Sequence, residues 1–373
     1  MDFKIAREAL LELTDSVGGV VEKRNTIPIL SNIQIVAENG ALTVRATDLD
    51  ILVEKKTTGV DIGTPGNTTV NSDLLQSITA KLPSGAQVHI SVSDGRMRIR
   101  SGRSDFKLPV LPSEDFPILT SAGHEGNSFE IKASDFAKAL KIVEGAMSTE
   151  ESRYYLNGVY IDPRRQDGDE ENDLRFVATD GHRLSLTRVT TDKADVSQDS
   201  AAIIPRKAIR ELIKALTGGN EMVSVTYGSR NIRATFGDVI FLSKLVDGTY
   251  PDYARVIPSA STIKSTFDAT SMKQAVERVS VISTERTRAL KLMMGRENVE
   301  IVVTDPTFGN ANEEVSAEGS DEIQIGFNAR YFADFLAQED GNITLHMTEP
   351  GAPAKIEFSS RPSDLAVIMP MRI

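Results

Sequence analysis

The chain of 373 residues is 40% hydrophobic and 25% charged, and it has a formal net charge of −11. This composition is typical of a globular protein, and the length is sufficient for two or three domains. The chain contains no cysteine and only four scattered histidines, so disulfides and thiolate zinc sites are excluded, and we expect neither a metal nor a cofactor. Because no basic and apolar leader is present and no apolar run approaches the roughly 18 residues of a membrane span, we expect a cytoplasmic protein.

Each third of the chain begins with a short strand followed by an amphipathic helix. Strands are predicted at 3–5, 129–131 and 266–268. Apolar residues then recur at helical spacing, which predicts helices over 7–21, over 136–146 after the N-cap pair Ser134 and Asp135, and over 272–282 after Thr270 and Ser271. The three segments are versions of one pattern.

A second strand and helix follow in every third. Strands at 69–70, 202–204 and 323–325 lead into helices predicted at 72–82, 205–216 and 328–336, and Pro205 suits a first helical turn. Alternating strands then close each unit, at 88–92 with 97–100, 223–225 with 232–235, and 343–345 with 355–358. The pattern predicts an α+β fold of three tandem domains, residues 1–122, 128–258 and 264–373, each a doubled strand-helix-strands unit.

An apolar run that ends in Thr-Asp occurs three times, at 44–48, 177–180 and 301–305. Thr and Asp side chains bond the backbone two residues on, so each copy predicts a strand that enters a turn. Three copies about a third of the chain apart indicate an internal repeat. Only the middle copy continues as Gly181-His182-Arg183-Leu184, which suggests a specialised turn in which Gly181 takes a positive φ or allows close backbone approach.

The two ends of the repeat predict an assembly. The C-terminal segment 366–373 is mostly apolar, and the first unit offers no obvious polar cap. A tandem head-to-tail repeat with open ends needs either a cap or the free end of another copy. We therefore expect a closed ring of two or more chains.

The charge is distributed unevenly along the chain. The predicted helices carry slightly more basic than acidic residues, and the rest of the chain is acidic. The densest basic run is Arg206, Lys207, Arg210 and Lys214, with Lys23 and Arg24 as a second group. These groups are typical of ordinary solvated helix faces. Alternatively, in a ring with helices inside and sheets outside, they would tolerate DNA in the bore while the acidic exterior repels it.

Seven dispersed segments occur in an order that carries a family resemblance. They are RNTIPILSN (24–32), SGRS (101–104), RYYLNG (153–158), ATDGHRL (178–184), PRK (205–207), SKLVDG with YPDY (243–253) and MPMRI (369–373). With them the whole chain resembles the β sliding clamps of bacterial DNA polymerase III. The resemblance implies three DNA-clamp domains in each chain of a head-to-tail homodimeric ring, with helices inside and sheets outside. The ring would encircle duplex DNA without sequence specificity and tether the replicative polymerase as a non-catalytic processivity factor.

The resemblance also implies partners. These are the α subunit of the replicative polymerase, a clamp-loader ATPase, translesion polymerases and mismatch-repair proteins, docked as short peptides in an apolar pocket. The chain contains no Gly-x-x-x-x-Gly-Lys-[Ser/Thr] loop, so ATP-driven opening would belong to the separate loader.

Three sets of site residues follow from the resemblance. The peptide pocket would comprise Leu156, Thr179, Gly181, His182, Arg183, Leu184, Pro251, Arg255, Val256, Val367, Ile368, Met369, Pro370, Met371 and Arg372. The DNA contacts would be Arg24, Tyr154, Tyr155, Arg206 and Lys207, whereas Asp73 and Glu150 would weaken local contact. The dimer interface would use Phe106, Val281 and Ile282.

The sequence is also compared with what two other functions would require. A hydrolase centred on Asp180 and His182 would need a positioned nucleophile and an orienting third group, and the chain has no Gly-x-Ser-x-Gly elbow or metal-binding His pair. A monomeric repeat adaptor that binds no DNA would differ from the ring in its mass by size exclusion.

Overall fold

The structure is a computed structural model that describes residues 1–22, 26–119, 126–164, 170, 172–283 and 288–372. The first third contains β1 (Asp2–Ala6), α1 (Arg7–Gly18), β2 (Asn32–Glu38), β3 (Ala41–Thr47), β4 (Ile51–Thr58), β5 (Asp61–Thr64), β6 (Gly66–Asn71), α2 (Ser72–Lys81), β7 (Gln87–Ser93), β8 (Arg96–Ser101) and β9 (Ser104–Leu111). The middle third contains β10 (Asn127–Lys132), α3 (Ala133–Glu144), β11 (Gly158–Asp162), β12 (Asp173–Thr179), β13 (Arg183–Thr190), β14 (Lys193–Asp195), β15 (Ala202–Pro205), α4 (Arg206–Leu216), β16 (Met222–Tyr227), β17 (Asn231–Phe236) and β18 (Val239–Lys244).

The last third contains β19 (Ile263–Asp268), α5 (Ala269–Val279), β20 (Ala289–Met294), β21 (Asn298–Asp305), β22 (Gly309–Ser316), β23 (Glu318–Gly319), β24 (Ile323–Asn328), α6 (Ala329–Leu336), β25 (Asn342–Met347), β26 (Ala354–Phe358) and β27 (Asp364–Ile368). The mixture of helices and strands confirms the predicted α+β class. Within the described ranges the longest α-helices have 12 residues, and none meets the length and apolarity that crossing a bilayer requires.

Helix ends account for the differences from prediction. The first helix ends at Gly18 and not at 21, because consecutive glycines favour helix termination. Ser134 and Asp135 lie inside the first turn of α3, and Asp268 rather than Thr270 caps α5 by accepting the Ser271 amide at 2.7 Å. Pro205 precedes α4 as its N-cap instead of opening its first turn.

The chain divides into two compact units. The first comprises Met1–Ala137 and Thr191–Leu245, and the second comprises Lys138–Thr190 and Val246–Ile373. In the first unit, antiparallel strands run in the order β14-β10-β16-β17-β18-β4-β3-β2-β6-β9-β8-β7-β1-β5. The β4–β18 pair, with Val53 opposite Phe241, joins the first third to the middle third.

The second unit repeats that connection. Its strands run β11-β12-β13-β27-β26-β25-β19-β23, beside a four-stranded sheet β22-β21-β20-β24. Here β13 pairs with β27, with Leu184 opposite Val367, and joins the middle third to the last. Helices α5 and α6 bury their apolar faces in one core with these strands, and Phe332 of α6 packs its ring 5.8 Å from that of Phe327. In both units the strand after a Thr-Asp turn therefore pairs with the final strand of the next third.

Candidate functional site

All three Thr-Asp turns form as their sequences predict. In each, one carboxylate oxygen of the Asp accepts the backbone amides two and three residues further on, as short polar side chains do in turns. The donors are Asp50 and Ile51 for Asp48, His182 and Arg183 for Asp180, and Thr307 and Phe308 for Asp305. The repeat is therefore conserved in hydrogen bonding as well as in sequence.

The middle turn has the positive φ that was predicted for it. Gly181 has φ +88°, and Leu49 occupies the corresponding place in the first turn with φ +81°. A leucine there is strained, because left-handed backbone conformations crowd a Cβ atom. In the third turn Pro306 occupies that place, its ring fixes φ near −65°, and the positive φ appears instead at Gly309, at +98°.

Arg183 anchors the middle turn to its surroundings. Its Nε donates to Asp180 at 3.2 Å, its Nη1 to Asp334 of α6 at 2.6 Å, and its Nη2 to the Gly145 carbonyl at 2.5 Å. Its guanidinium lies 4.2 Å from the centre of the Tyr331 ring, and the side chain is only 10% exposed. One cation thus connects the turn, the segment after α3 and helix α6.

Sequence reasoning missed the contribution of α6. Tyr331 and Asp334 lie about 150 residues from the turn, and their sequence neighbours give no sign of that contact. The His182 ring stacks beside Tyr331, with ring centres 6.4 Å apart and an angle of 25°. The Asp180 carboxylate is occupied by two backbone amides and by Arg183. This arrangement serves to hold the turn, and it is unlike the imidazole-orienting carboxylate of a hydrolase.

The C-terminal segment is bonded to the same turn. Beyond β27, the Met369 amide donates to the His182 carbonyl at 2.9 Å, and the Met371 amide donates to the Gly326 carbonyl at 2.8 Å. The segment therefore lies beside the turn on one side and beside β24 on the other. This brings the turn and the terminal methionines of the predicted pocket together, as expected.

The predicted pocket residues divide by burial. Leu156, Thr179, Leu184, Val367 and Ile368 are 9% exposed or less, so they form the base beneath the site. Arg183, Val256, Met369 and Pro370 are partly exposed. Gly181, His182, Pro251, Arg255, Met371 and Arg372 are exposed. An apolar base with exposed polar and thioether groups above it suits recognition of an extended peptide, and its assignment as a peptide pocket stays a prediction.

Residues 245–262 form the linker between β18 and β19, and two tyrosines fix this linker, which supplies Pro251, Arg255 and Val256. The Tyr250 ring stacks on Tyr160 with centres 4.5 Å apart and planes 6° from parallel. The Tyr253 hydroxyl donates to the buried Asp162 carboxylate at 2.6 Å. Because these rings face β11, the residues between and after them are left at the surface.

Both side chains in the contact between Tyr253 and Asp162 have pKa values shifted from their usual ones. Burial raises the pKa of Tyr253, and its hydrogen bond to Asp162 raises it further. Burial opposes ionisation of Asp162, but hydrogen bonds from Arg164 and Tyr253 outweigh it and hold the pKa of that carboxyl below its usual value. The linker is thus attached to a carboxylate that stays charged at neutral pH.

The predicted DNA-contact tyrosines directly follow Arg153, whose side chain lies next to the middle Thr-Asp turn. Tyr154 is 53% exposed and meets Tyr155 edge to face at 5.7 Å. Arg153 immediately precedes them and forms two hydrogen bonds with Glu150, at 2.7 and 2.8 Å. A Cβ atom added to Gly181 would lie 2.6 Å from Arg153 Nη1 and would displace the end of that side chain, so glycine is required there for its φ, and its small size leaves room for Arg153.

Lys207 is engaged in ion pairs within the first unit. Its Nζ donates to Asp48 at 2.5 Å, to Glu22 at 3.2 Å and to the Val20 carbonyl at 3.3 Å. Burial acts to lower the pKa of Lys207, but Asp48 and Glu22 outweigh it and raise the pKa above its usual value. Its role as a DNA contact stays a prediction, as does that of the partly buried Arg206, and Arg24 lies outside the described residues.

The predicted interface residues are accessible to different degrees. Phe106 on β9 is 37% exposed and Val281 is 82% exposed, whereas Ile282 packs partly against the core. Among the described residues, no group of three His, Asp or Glu side chains converges in a way that could hold a metal ion.

Comparisons with known proteins cover the whole chain. Family models of the DNA polymerase III beta subunit match residues 1–120 as its N-terminal domain, 130–252 as its central domain and 254–372 as its C-terminal domain. The beta sliding clamps of Caulobacter vibrioides and Escherichia coli are 38% and 35% identical to this chain, each with full coverage of both sequences.

Solved structures agree with the sequence comparisons. A sliding clamp from Bartonella birtlesii bound to griselimycin superposes with a TM-score of 0.94 at 38% identity, and one from Pseudomonas aeruginosa bound to griselimycin with 0.94 at 34%. The Caulobacter crescentus clamp gives a TM-score of 0.92 at 37% identity. All three comparisons cover 100% of this chain and 100% of the other.

Proposed function

Because the chain belongs to the DNA polymerase III beta subunit family, it is a DNA sliding clamp that acts as a processivity factor, and we propose how it closes and where it binds partners. Two copies close head to tail into a ring around duplex DNA. The site at the middle Thr-Asp turn binds peptide segments of the replication and repair proteins. The three domains are taken as residues 1–122, 128–258 and 264–373.

The pattern of strand pairing supports the ring. Inside the chain, the strand after the first turn pairs with β18 and the strand after the second turn pairs with β27. The strand after the third turn is β22, and within the described ranges it pairs only with β21. The remaining final strand is β9, which pairs with β8 but meets β6 only at Val110 and Leu111. Exposed edges are templates for pairing, so β22 of one copy pairs with β9 of the other.

The charges on these two edges are complementary. The β8–β9 hairpin carries exposed Arg96, Arg98, Arg100, Arg103 and Lys107. The β22 edge carries Glu313 and the exposed Glu314. Opposite charges steer association and suppress pairing between like edges, which favours the heterologous contact that a head-to-tail ring requires. Phe106, Val281 and Ile282 supply apolar area to the same contact.

The main support for the partner site is the hydrogen bond that the Met369 amide donates to the His182 carbonyl. It joins the specialised turn to a segment with two methionines that can repack around different side chains. The polymerase α subunit, the clamp loader, translesion polymerases and mismatch-repair proteins would use this site in turn. Tyr331 and Asp334 of α6 belong to it through Arg183.

DNA is held by enclosure and not by affinity. A net charge of −11 disfavours an extended set of phosphate contacts, each of which would add salt-dependent binding. Arg24, Tyr154, Tyr155 and Arg206 supply the few contacts proposed, and Lys207 contributes less because two carboxylates engage it. The clamp is non-catalytic, needs no metal or cofactor, and acts in the cytoplasm, and a separate ATPase opens the ring.

Retention on DNA tests the enclosure. Loaded onto a nicked circle and separated by gel filtration, the protein should stay bound until a single cut linearises the circle, and should then be lost. Equal loss from circular and linear DNA would refute topological binding. A strictly monomeric mass by sedimentation at micromolar concentration would also refute the ring and favour the adaptor.

Truncation tests the peptide site. Deleting residues 369–373 should abolish binding of a labelled polymerase-tail peptide in a polarisation titration and leave the dimer intact. Met222→Ala is the control, because Met222 is 41% exposed but belongs to the first unit. Unchanged peptide affinity in the truncated protein would move the site elsewhere.

Salt dependence tests the DNA contacts. Each phosphate contact that is lost should reduce the slope of log K against log salt concentration by roughly 0.9. Arg24→Ala and Arg206→Ala should show this reduction, and Arg296→Ala, at an exposed hairpin position, should not. An unchanged slope would remove that arginine from the DNA contacts.

A further inference from the structure

The first Thr-Asp turn meets its neighbouring strand in the same way as the middle turn does. At the middle turn, the amide that follows β27 donates to the carbonyl of His182. At the first turn, the amide of Lys244, at the end of β18, donates to the carbonyl of Asp50 at 2.8 Å. His182 and Asp50 each lie two residues after the Asp of their turn. The first compact unit therefore contains a counterpart of the surface at which peptide binding is proposed.

The buried base of that surface is also repeated. The short 3₁₀-helix Pro28–Ser31 leads into β2, and the register of β2 with β3 places this helix beside the first turn. Leu30 of the helix is buried in one cluster with Phe116, which belongs to the segment after β9. Leu156 and Tyr250 are buried at the corresponding places of the middle third, and both aromatic residues precede a proline. The turn, the short helix and the segment after β9 thus lie together within one compact unit.

The first turn differs from the middle turn in the side chains that it presents to solvent. Leu49 stands where the middle turn has Gly181, and it is 39% exposed at a φ of +81°. A leucine in a left-handed conformation is strained, and strained residues of this kind cluster at functional sites. Ile27, just before the short helix, is 47% exposed, and Ile118, in the segment after β9, is 60% exposed. Exposed apolar side chains therefore lie on all three segments, as they do at surfaces that bind partners.

The charges around the first turn are opposite in sign to those of the predicted site at the middle turn. Asp50, Glu114 and Asp115 are exposed on the turn and on the segment after β9. Lys244 pairs with Asp50 at 2.9 Å, so the two carboxylates after β9 supply most of the acidic charge. The charged members of the predicted site at the middle turn are basic, and they include Arg183, Arg255 and Arg372. Because a surface of one sign favours ligands of the other, the first turn selects a basic ligand.

We propose that this first-turn surface is a second docking site, and that it binds an extended peptide in which apolar residues are flanked by lysine or arginine. The surface comprises Ile27, Leu49, Asp50, Glu114, Asp115 and Ile118. The apolar residues of the peptide pack against Leu49 and Ile118, and its cations lie against Glu114 and Asp115. The inference rests on the proposed peptide site at the middle turn, from which it takes the mode of binding. Since the two surfaces differ in charge, one chain binds two partners of different chemistry.

A polarisation titration with defined probes tests the apolar part of the surface. The probe is a labelled, amidated peptide of sequence Lys-Arg-Leu-Phe-Lys-Arg, and the control peptide has serine in place of leucine and phenylalanine. Leu49→Gly keeps the positive φ and removes the side chain, so it should weaken binding of the probe about tenfold, as expected for a lost leucine contact. Met222→Ala alters an exposed residue elsewhere in the first unit and should leave the affinity unchanged. The serine peptide should bind weakly to every variant.

Charge reversal tests the acidic part of the surface. Glu114→Lys should weaken the probe at low salt and reduce the salt dependence of its binding, because screening acts on the same attraction. Asp238→Lys is the matched control. Asp238 is also exposed, but it lies in the hairpin between β17 and β18, at the opposite end of β18 from Lys244. Equal effects of the two reversals would show general attraction to an acidic protein and would overturn the inference.

The truncation that lacks residues 369–373 separates the two sites. It should leave binding of the basic probe unchanged and abolish binding of the polymerase-tail peptide. A basic probe that fails to bind the unaltered chain, or that is lost on truncation, would overturn the first-turn surface and leave the site at the middle turn standing. Retention of the polymerase-tail peptide after truncation would instead refute the site at the middle turn.

Proximity labelling gives a second, independent test. The chain has no cysteine, so Ile118→Cys and Met222→Cys each contain a single thiol. The basic probe with an N-terminal chloroacetyl group should alkylate Ile118→Cys faster than Met222→Cys, and unlabelled probe should compete. Chloroacetamide alone should alkylate the two variants at similar rates. Equal rates with the probe would overturn the inference.

Discussion

Arg183→Lys separates the charge of the middle turn from its hydrogen-bonding geometry. The arginine serves Asp180, Asp334 and the Gly145 carbonyl through three different nitrogens. A lysine ammonium is a compact donor that cannot reach three separated acceptors in the planar arrangement of a guanidinium. We expect it to keep one contact, the ion pair with Asp334, and to release the other two.

The expected loss of local stability follows from the two hydrogen bonds that the lysine cannot form. A hydrogen bond to a charged group contributes about 1.5–3 kcal/mol and one to a neutral carbonyl about 1 kcal/mol. The Asp180 side chain is 14% exposed, so water compensates little for its lost partner. The sum is about 3 kcal/mol of local stability, which corresponds to a change on the order of 100-fold in a local opening equilibrium.

Hydrogen exchange at the Met369 amide measures that opening, because this amide donates to the carbonyl of His182 in the turn. Its protection from exchange should fall by a factor between about 10 and about 100. The upper value applies if the opening that exposes this amide normally breaks both the Asp180 and the Gly145 contacts of Arg183. Arg188→Lys is the control, since Arg188 lies further along β13 and is 38% exposed beside Asp173. Undiminished protection at Met369, or an equal fall in the control, would refute the role given to Arg183.

Two further experiments test the middle turn and the ion pair between Lys207 and Asp48. Gly181→Ala and Gly218→Ala should each cost about 1–2 kcal/mol for a left-handed backbone, because their φ values are +88° and +84°. Only Gly181→Ala should also weaken the polymerase-tail peptide in the titration, because its Cβ displaces Arg153. Lys207→Met should lower the midpoint of urea unfolding by leaving the buried Asp48 carboxylate without its cation, and Lys207→Met with Asp48→Asn should recover part of the loss. Because the folded-state pKa of Lys207 is raised, its contribution is present below the ordinary lysine pKa and is lost as pH rises through the raised value.

Local chemistry made much of the fold predictable. The Thr-Asp turns were found because an Asp carboxylate bonds amides two and three residues on, an interaction contained in five residues of sequence. The strands and helices of each third were found from their apolar periods. Helix ends were less accurate because capping competes with propensity over a single turn, as at Asp268.

Long-range pairing could not be read from the sequence. Lys207 belongs to a basic run that suggested DNA, but the fold places it on a carboxylate 159 residues away. The same limit concealed Tyr331 and Asp334, and the bond from Arg183 to Asp334 spans 151 residues. For Val367 and Ile368 the motif predicts a place in the peptide pocket, which stays a prediction, and only the structure shows that both side chains of β27 are buried.

The tyrosines that fix the linker also provide an intrinsic fluorescence signal. The chain has no tryptophan and seven tyrosines, and every tyrosine except Tyr227 belongs to the second compact unit. Ultraviolet emission therefore arises mainly from rings near the turn, the linker and α6. A peptide that lacks tyrosine and tryptophan could be titrated without any label, and the signal would report on the partner site in the intact ring.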